Sequence, residues 1–171
     1  RAEFTRKLAS LTSVDWSSGK AEKRDALIAA WTSLNELVSQ QPADVAHAHE
    51  IFLRSEKVYA AADSLTQAIV TKAGGEFASR VNIAGRNRML CARVAKLALF
   101  AGATVMSGEI NPLLADSKAE FQRNLESLRA GSLGHSEVRA QLSVDAEEWQ
   151  VFLDALALAG SEGHTPEQAM Q

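Results

Sequence analysis

The chain has 171 residues, a net charge of −3, 46% hydrophobic residues and a single cysteine. That length suits one domain with an ample core, and the scarcity of Pro and Gly in an Ala- and Leu-rich chain favours an all-helical protein. One cysteine excludes an internal disulfide framework and any multi-cysteine metal site. No apolar run reaches the roughly 18–20 residues of a membrane span, so no insertion into a membrane is expected; the best, Leu97 to Met106, is about half that length. With neither a signal peptide nor an initiator Met, the sequence is expected to be a mature chain or a fragment.

The first stretch, Arg1 to Leu11, is amphipathic, with Phe4, Leu8 and Leu11 on one face. It returns later: Lys118 to Leu128 matches it at an offset of 117, with seven identities in eleven positions. At an offset of 118, Trp31-x-x-Leu34 is echoed by Trp149-x-x-Phe152. Two anchors in the same order at nearly the same spacing argue for duplication of a helical unit. The expected organisation is one helical-bundle domain over 1–160 with a polar tail, 161–171. Residues 1–40 would be the remnant of a first repeat unit and 76–160 the second unit.

After a Ser17–Gly19 linker, a helix is predicted from about Ala21 to Ser39, with Leu27, Ile28, Trp31, Leu34 and Val38 inward. Pro42 opens the next and longest, with Asp44 in its first turn, and it continues to about Lys72. Its inward positions are Val45, Phe52, Tyr59, Ala62, Leu65 and Ile69. Gly74-Gly75 ends it, and a further helix returns antiparallel. Gly108 and Asn111-Pro112 break the chain before helices near Leu114–Arg129 and Ser136–Ala159, and Thr165-Pro166-Glu167 reads as another helix start. Short connections between long amphipathic helices predict an all-α antiparallel up-and-down bundle.

Catalytic and metal chemistry find little support. His47-x-His49 spacing points the two rings about 160° apart on a helix, so surface histidines are the simpler reading. His135 and His164 have no evident partners, and Glu147-Glu148 and Asp44 with Glu50 read as solvated helix acids. Neither a nucleophile elbow, a P-loop nor a dinucleotide fingerprint is present. The expectation is a non-enzyme without cofactor or metal. Trp16, Trp31 and Trp149 read as core or bundle-end anchors.

From Phe77 to Gly108 there is no Asp or Glu, yet Arg80, Arg86, Arg88, Arg93 and Lys96 lie there; this segment at +5 leaves the remaining residues at −8. An acidic protein with one cationic helix has placed that charge to meet an anion, a partner or an acidic face. Nucleic acid is disfavoured by the short patch, the acidic balance and the lack of interleaved aromatics. On a helical wheel Val81, Ala84, Gly85, Arg88, Ala92, Ala95 and Leu99 form one narrow stripe, and Ile83, Leu90, Val94, Leu97 and Ala101 another on the far side. Both stripes are expected to be covered, one in the chain's own bundle and one by another helix or subunit. A covered guanidinium needs acceptors. Arg88, flanked by Gly and Ala, must find them on another helix or a bound anion; the plainer alternative is a buried salt bridge. Cys91 on this helix reads either as a small buried hydrophobe or as a thiol near arginines.

Asn82-x-Ala84-Gly85-x-x-Arg88-Met89-x-x-x-Arg93 resembles the signature helix of the PilJ/NarX-type sensor domain, a periplasmic four-helix module of nitrate/nitrite sensor kinases and certain chemoreceptors. The fuller Ile83-Ala84-Gly85-Arg86-Asn87-Arg88-Met89-Leu90 is closer to the PilJ branch. The resemblance implies that Arg88 contacts nitrate or nitrite at a dimer interface. Gly85 would allow close approach, Arg93 is a second cation of the motif, and Asn82 and Met89 complete the ligand-binding set. The chain departs from the usual pattern at Cys91 and Ala92, where Ser-Gln is common. The resemblance therefore implies a periplasmic sensor for chemotaxis or signal transduction. It would bind a small oxyanion and relay occupancy to a homodimer mate or a signalling partner through this helix. The competing expectation is a non-sensing interaction module that uses the same helix as a protein–protein interface.

Overall fold

A computed structural model describes residues 2–11, 19–40, 45–102, 107–132 and 134–162. Six helices and no strand occur among them: α1 (Ala2–Leu11), α2 (Lys20–Gln40), α3 (Val45–Ala73), α4 (Gly75–Gly102), α5 (Ser107–Gly131) and α6 (Ser136–Glu162). The fold is an all-α bundle. Trp16, Ser17, Ser18, Pro42, Asp44, the stretch 103–106, and the tail from residue 163 with His164 and Thr165-Pro166-Glu167 lie outside the described residues. The chain forms two compact units, divided between Ala78 and Ser79.

In the first unit the cross-helix contacts run in opposite senses along paired helices. Leu8 of α1 meets Leu27 of α2 in a core completed by Leu65 of α3, while Phe4, nearer the α1 start, packs edge-on against Trp31 at 4.5 Å. Thr5 Oγ1 accepts the Trp31 indole N–H at 3.0 Å, giving a part-exposed aromatic its polar partner. Between α2 and α3, Lys23 donates to Ser64 and Arg54 donates to the Ser33 carbonyl, so these two are also antiparallel. Gly74 and Gly75 take φ of +65° and +81°, and the Gly74 amide bonds back to the Val70 carbonyl. This left-handed termination of α3 is where a glycine pair is predicted, because a side chain is strained there. Two inward positions differ from expectation. Ile69 is 42% exposed, and Leu37 is buried although the pattern does not single it out.

In the second unit α4 gives Leu90, Val94 and Leu97 to the core, all fully buried, with Ile83 and Ala101 part-buried beside them. These are the predicted far-side stripe. Against Leu90 and Val94 stand Phe121 and Leu125 of α5 and Leu142, Trp149 and Leu156 of α6. Trp149 stacks on Phe121 with centroids 3.8 Å apart. The α4–α5 seam is polar and antiparallel along its length. Arg80 lies over Gly131, Arg86 pairs with Glu120, Asn87 donates to the Phe121 carbonyl at 3.3 Å and Arg93 to the Ser117 hydroxyl at 3.1 Å. Helix α5 starts at Ser107 and runs through Pro112, not at Leu114 as expected. A proline in the second turn forfeits only a bond reaching back to Gly108, which a helix start tolerates better than its interior does.

The two α4 faces should differ sharply on truncation. Leu90→Ala is expected to cost about 2–5 kcal/mol in urea unfolding. Leu99→Ala, at a side chain 53% exposed, should change stability by no more than about 0.5 kcal/mol.

Candidate functional site

The basic character of α4 is spent mostly on its own unit. Arg80, Arg86 and Arg93 all point to α5, and Arg86 and Arg93 are part-buried against Glu120 and Ser117. Ser117 in turn donates to the Leu113 carbonyl at 2.7 Å, which fixes the hydroxyl that receives Arg93. Arg93 is thus a structural clamp between helices and does not converge with Arg88. The side chains of Asn82 and Met89 are also part-buried and lie on other sides of the helix from Arg88.

Gly85 and Arg88 do share a face. Val81, Ala84, Gly85, Arg88, Ala92 and Leu99 are all exposed, with only Ala95 part-buried. α4 turns its Leu90–Val94–Leu97 side into its own unit, and among the described residues nothing covers the Arg88 stripe, the face expected to meet another helix or subunit. Arg88 makes no hydrogen bond or ion pair among the described residues, so the buried salt bridge expected as its plainer role is absent from them. A Cβ built on Gly85 meets nothing within 4 Å. Nothing among the described residues requires a glycine there.

Where α4, α5 and α6 diverge they leave a cleft of about 470 Å³. Arg88, Asn87 and Cys91 stand on its α4 wall, Phe121 and Leu125 at its α5 side, and Asp145, Glu148 and Trp149 on α6. Sequence alone does not reveal this arrangement. Nothing singles out Asp145, Glu148 reads as a solvated acid, and no local pattern tells that they flank Arg88. Asn87, which is buried, spends its amide N–H on the Phe121 carbonyl, and its Oδ1 has no partner among the described residues. One cation and two carboxylates give the cleft a negative balance, unsuited to holding an anion inside it. Among the described residues no group of His, Cys, Asp and Glu is assembled that could hold a metal ion.

A sequence model of PilJ, the type IV pili methyl-accepting chemotaxis transducer N-terminal family, matches residues 69–170, which takes in all of α4, α5 and α6. The chain belongs to the PilJ family. No curated protein and no solved structure matches it. The match supports a sensory, signalling type of domain from a family that is not catalytic. It extends to the PilJ branch of the resemblance and does not reach the nitrate-sensing kinases. Domains of this family are typically periplasmic sensing domains of transducers, and no helix among the described residues is long and apolar enough to cross a membrane.

Cys91 sits in this PilJ domain as a half-buried thiol. Burial pushes its pKa up most, a backbone hydrogen bond pulls it partly back, and the negative charge of Asp145 adds the smallest push, upward. A raised pKa leaves less thiolate at a given pH, which disfavours the reactive-thiol reading. Iodoacetamide should alkylate Cys91 more slowly than free cysteine at pH 8, with the rate still climbing at pH values where free cysteine has levelled off. Asp145→Asn should move that profile part of the way back.

Proposed function

We propose that this PilJ domain is a periplasmic sensory domain that binds a small planar oxyanion, nitrate or nitrite, at Arg88 and relays occupancy to a partner. One observation carries the reading: Arg88 is an exposed guanidinium without a partner among the described residues, set in a stripe of small and apolar side chains. A planar guanidinium offers paired donors to a planar oxyanion. Exposed glycine and alanine beside it let a second helix approach closely, and Gly85 has open space around it among the described residues. The anion would sit on the exposed side of Arg88, whose other side borders the cleft carrying Asp145 and Glu148.

Paired across a two-fold axis with a second copy, two Arg88 side chains would repel each other in a poorly solvated interface. An anion between them relieves the repulsion, so that ligand binding and subunit arrangement become coupled. Gly85 serves close approach in this scheme. Arg93 is spent on Ser117 of α5, and Asn82 and Met89 lie on other sides of α4 from Arg88.

Titration calorimetry with nitrate, nitrite and chloride should give saturable binding of nitrate or nitrite. Arg88→Ala should weaken it at least tenfold, about 1.4 kcal/mol, with helicity unchanged. Silence from nitrate and nitrite in the folded wild-type chain would discard the sensor reading. It would leave α4 as an interface module, whose partner Arg88→Glu would abolish.

A further inference from the structure

Arg88 belongs to two rows of α4 at once. With Val81, Gly85 and Ala92 it forms the exposed stripe, and with Ala84, Asn87 and Cys91 it forms one wall of the cleft. Glu148 has the same double membership on α6. With Asp145, Trp149 and Phe152 it lines the cleft, and with Glu147, Val151 and Ala155 it lines a second groove along the helix. Two long side chains of opposite charge thus stand at the two rims of one cleft.

The two carboxylates of the cleft are not equivalent. Asp145 is half-buried and accepts the Gln141 amide N–H at 2.9 Å. Glu148 is exposed and makes no hydrogen bond or ion pair among the described residues, and the same holds for Arg88. Both keep the rotamer freedom of long, unbranched side chains. Asp145 is held on its own helix, so Glu148 is the carboxylate at liberty to meet the guanidinium.

We propose that Glu148 is an internal competitor for the oxyanion. Arg88 exchanges between an outward setting that receives the anion and an inward setting paired with the Glu148 carboxylate over the cleft. This inference rests on the sensor reading of Arg88. A carboxylate is planar, singly charged and offers two oxygens, so it takes the same paired N–H donors as nitrate or nitrite. Only the outward fraction of Arg88 is competent to bind, and the apparent affinity falls by that fraction. Ion pairs this exposed are weak, so the competition tunes affinity and does not abolish it. It also gives occupancy a route between helices: an anion that captures Arg88 on α4 releases Glu148 on α6.

Glu148→Gln removes the competing charge, and Glu147→Gln removes an equal charge one residue away, from a side chain that does not line the cleft. In the ligand-free full chain, the Arg88 Nε–H resonance, assigned by its loss in Arg88→Lys, should shift in Glu148→Gln and stay in place in Glu147→Gln. In calorimetry Glu148→Gln should bind nitrate about two- to fivefold more tightly than wild type, the scale of an exposed ion pair, with Glu147→Gln close to wild type. An unmoved Arg88 resonance, or an equal gain in affinity in both variants, would overturn the competitor and leave the sensor reading standing, since nitrate still binds. Absence of nitrate binding in every variant would overturn the sensor reading and the role of Glu148 with it.

Discussion

The second unit depends on how α4 divides its two apolar sides. Burying Leu90, Val94 and Leu97 removes three large side chains from water, at roughly 1.5–3 kcal/mol each before the cost of ordering them. No comparable gain is available on the side of Ala84, Gly85 and Ala92, whose side chains offer little area. The orientation of the helix follows from that inequality, and Arg88 is carried outward with the smaller face. Its exposure is a by-product of core formation that a binding function could exploit.

Charge then settles what the core leaves open. Side chains that flank the buried stripe reach α5, where Glu120, the Ser117 hydroxyl and the end of the helix at Gly131 receive them. The α4–α5 pair thus has its register set at several points by contacts that a slide of one turn would break together. Pairs such as Arg86 with Glu120, part-buried on both sides, hold geometry more than they add stability, since desolvation offsets much of their attraction. A sensor element of the type proposed needs such a frame: an arginine can report on an anion only if the helix beneath it does not shift to avoid the encounter.

Most of the helices are legible in the sequence because their apolar spacing is strong and their ends are punctuated by glycine. Gly74-Gly75 marks the end of α3 in sequence and structure alike, and the bounds of α2 agree to within a residue at each end. Pro112 misleads, since a proline signals a break only when the bond it forfeits lies deep in a helix. The far-side stripe of α4 is legible, and its burial follows. What no local pattern holds is the company of Arg88: Asp145 and Glu148 lie more than fifty residues away, and their approach to α4 is set by Trp149 stacking on Phe121. Arg93 shows the same limit from the other side. It belongs to the motif by spacing and to α5 by contact, and only the fold separates the two.

The glycine pair at 74 and 75 places two successive residues in left-handed backbone settings, close to where one three-helix unit gives way to the next. A lengthening or shortening of α3 that moved this turn by one residue would force Ala73 or Glu76 into such a setting, at about 1–2 kcal/mol. Insertions and deletions are therefore filtered at the joint by backbone strain alone, whatever contacts they spare.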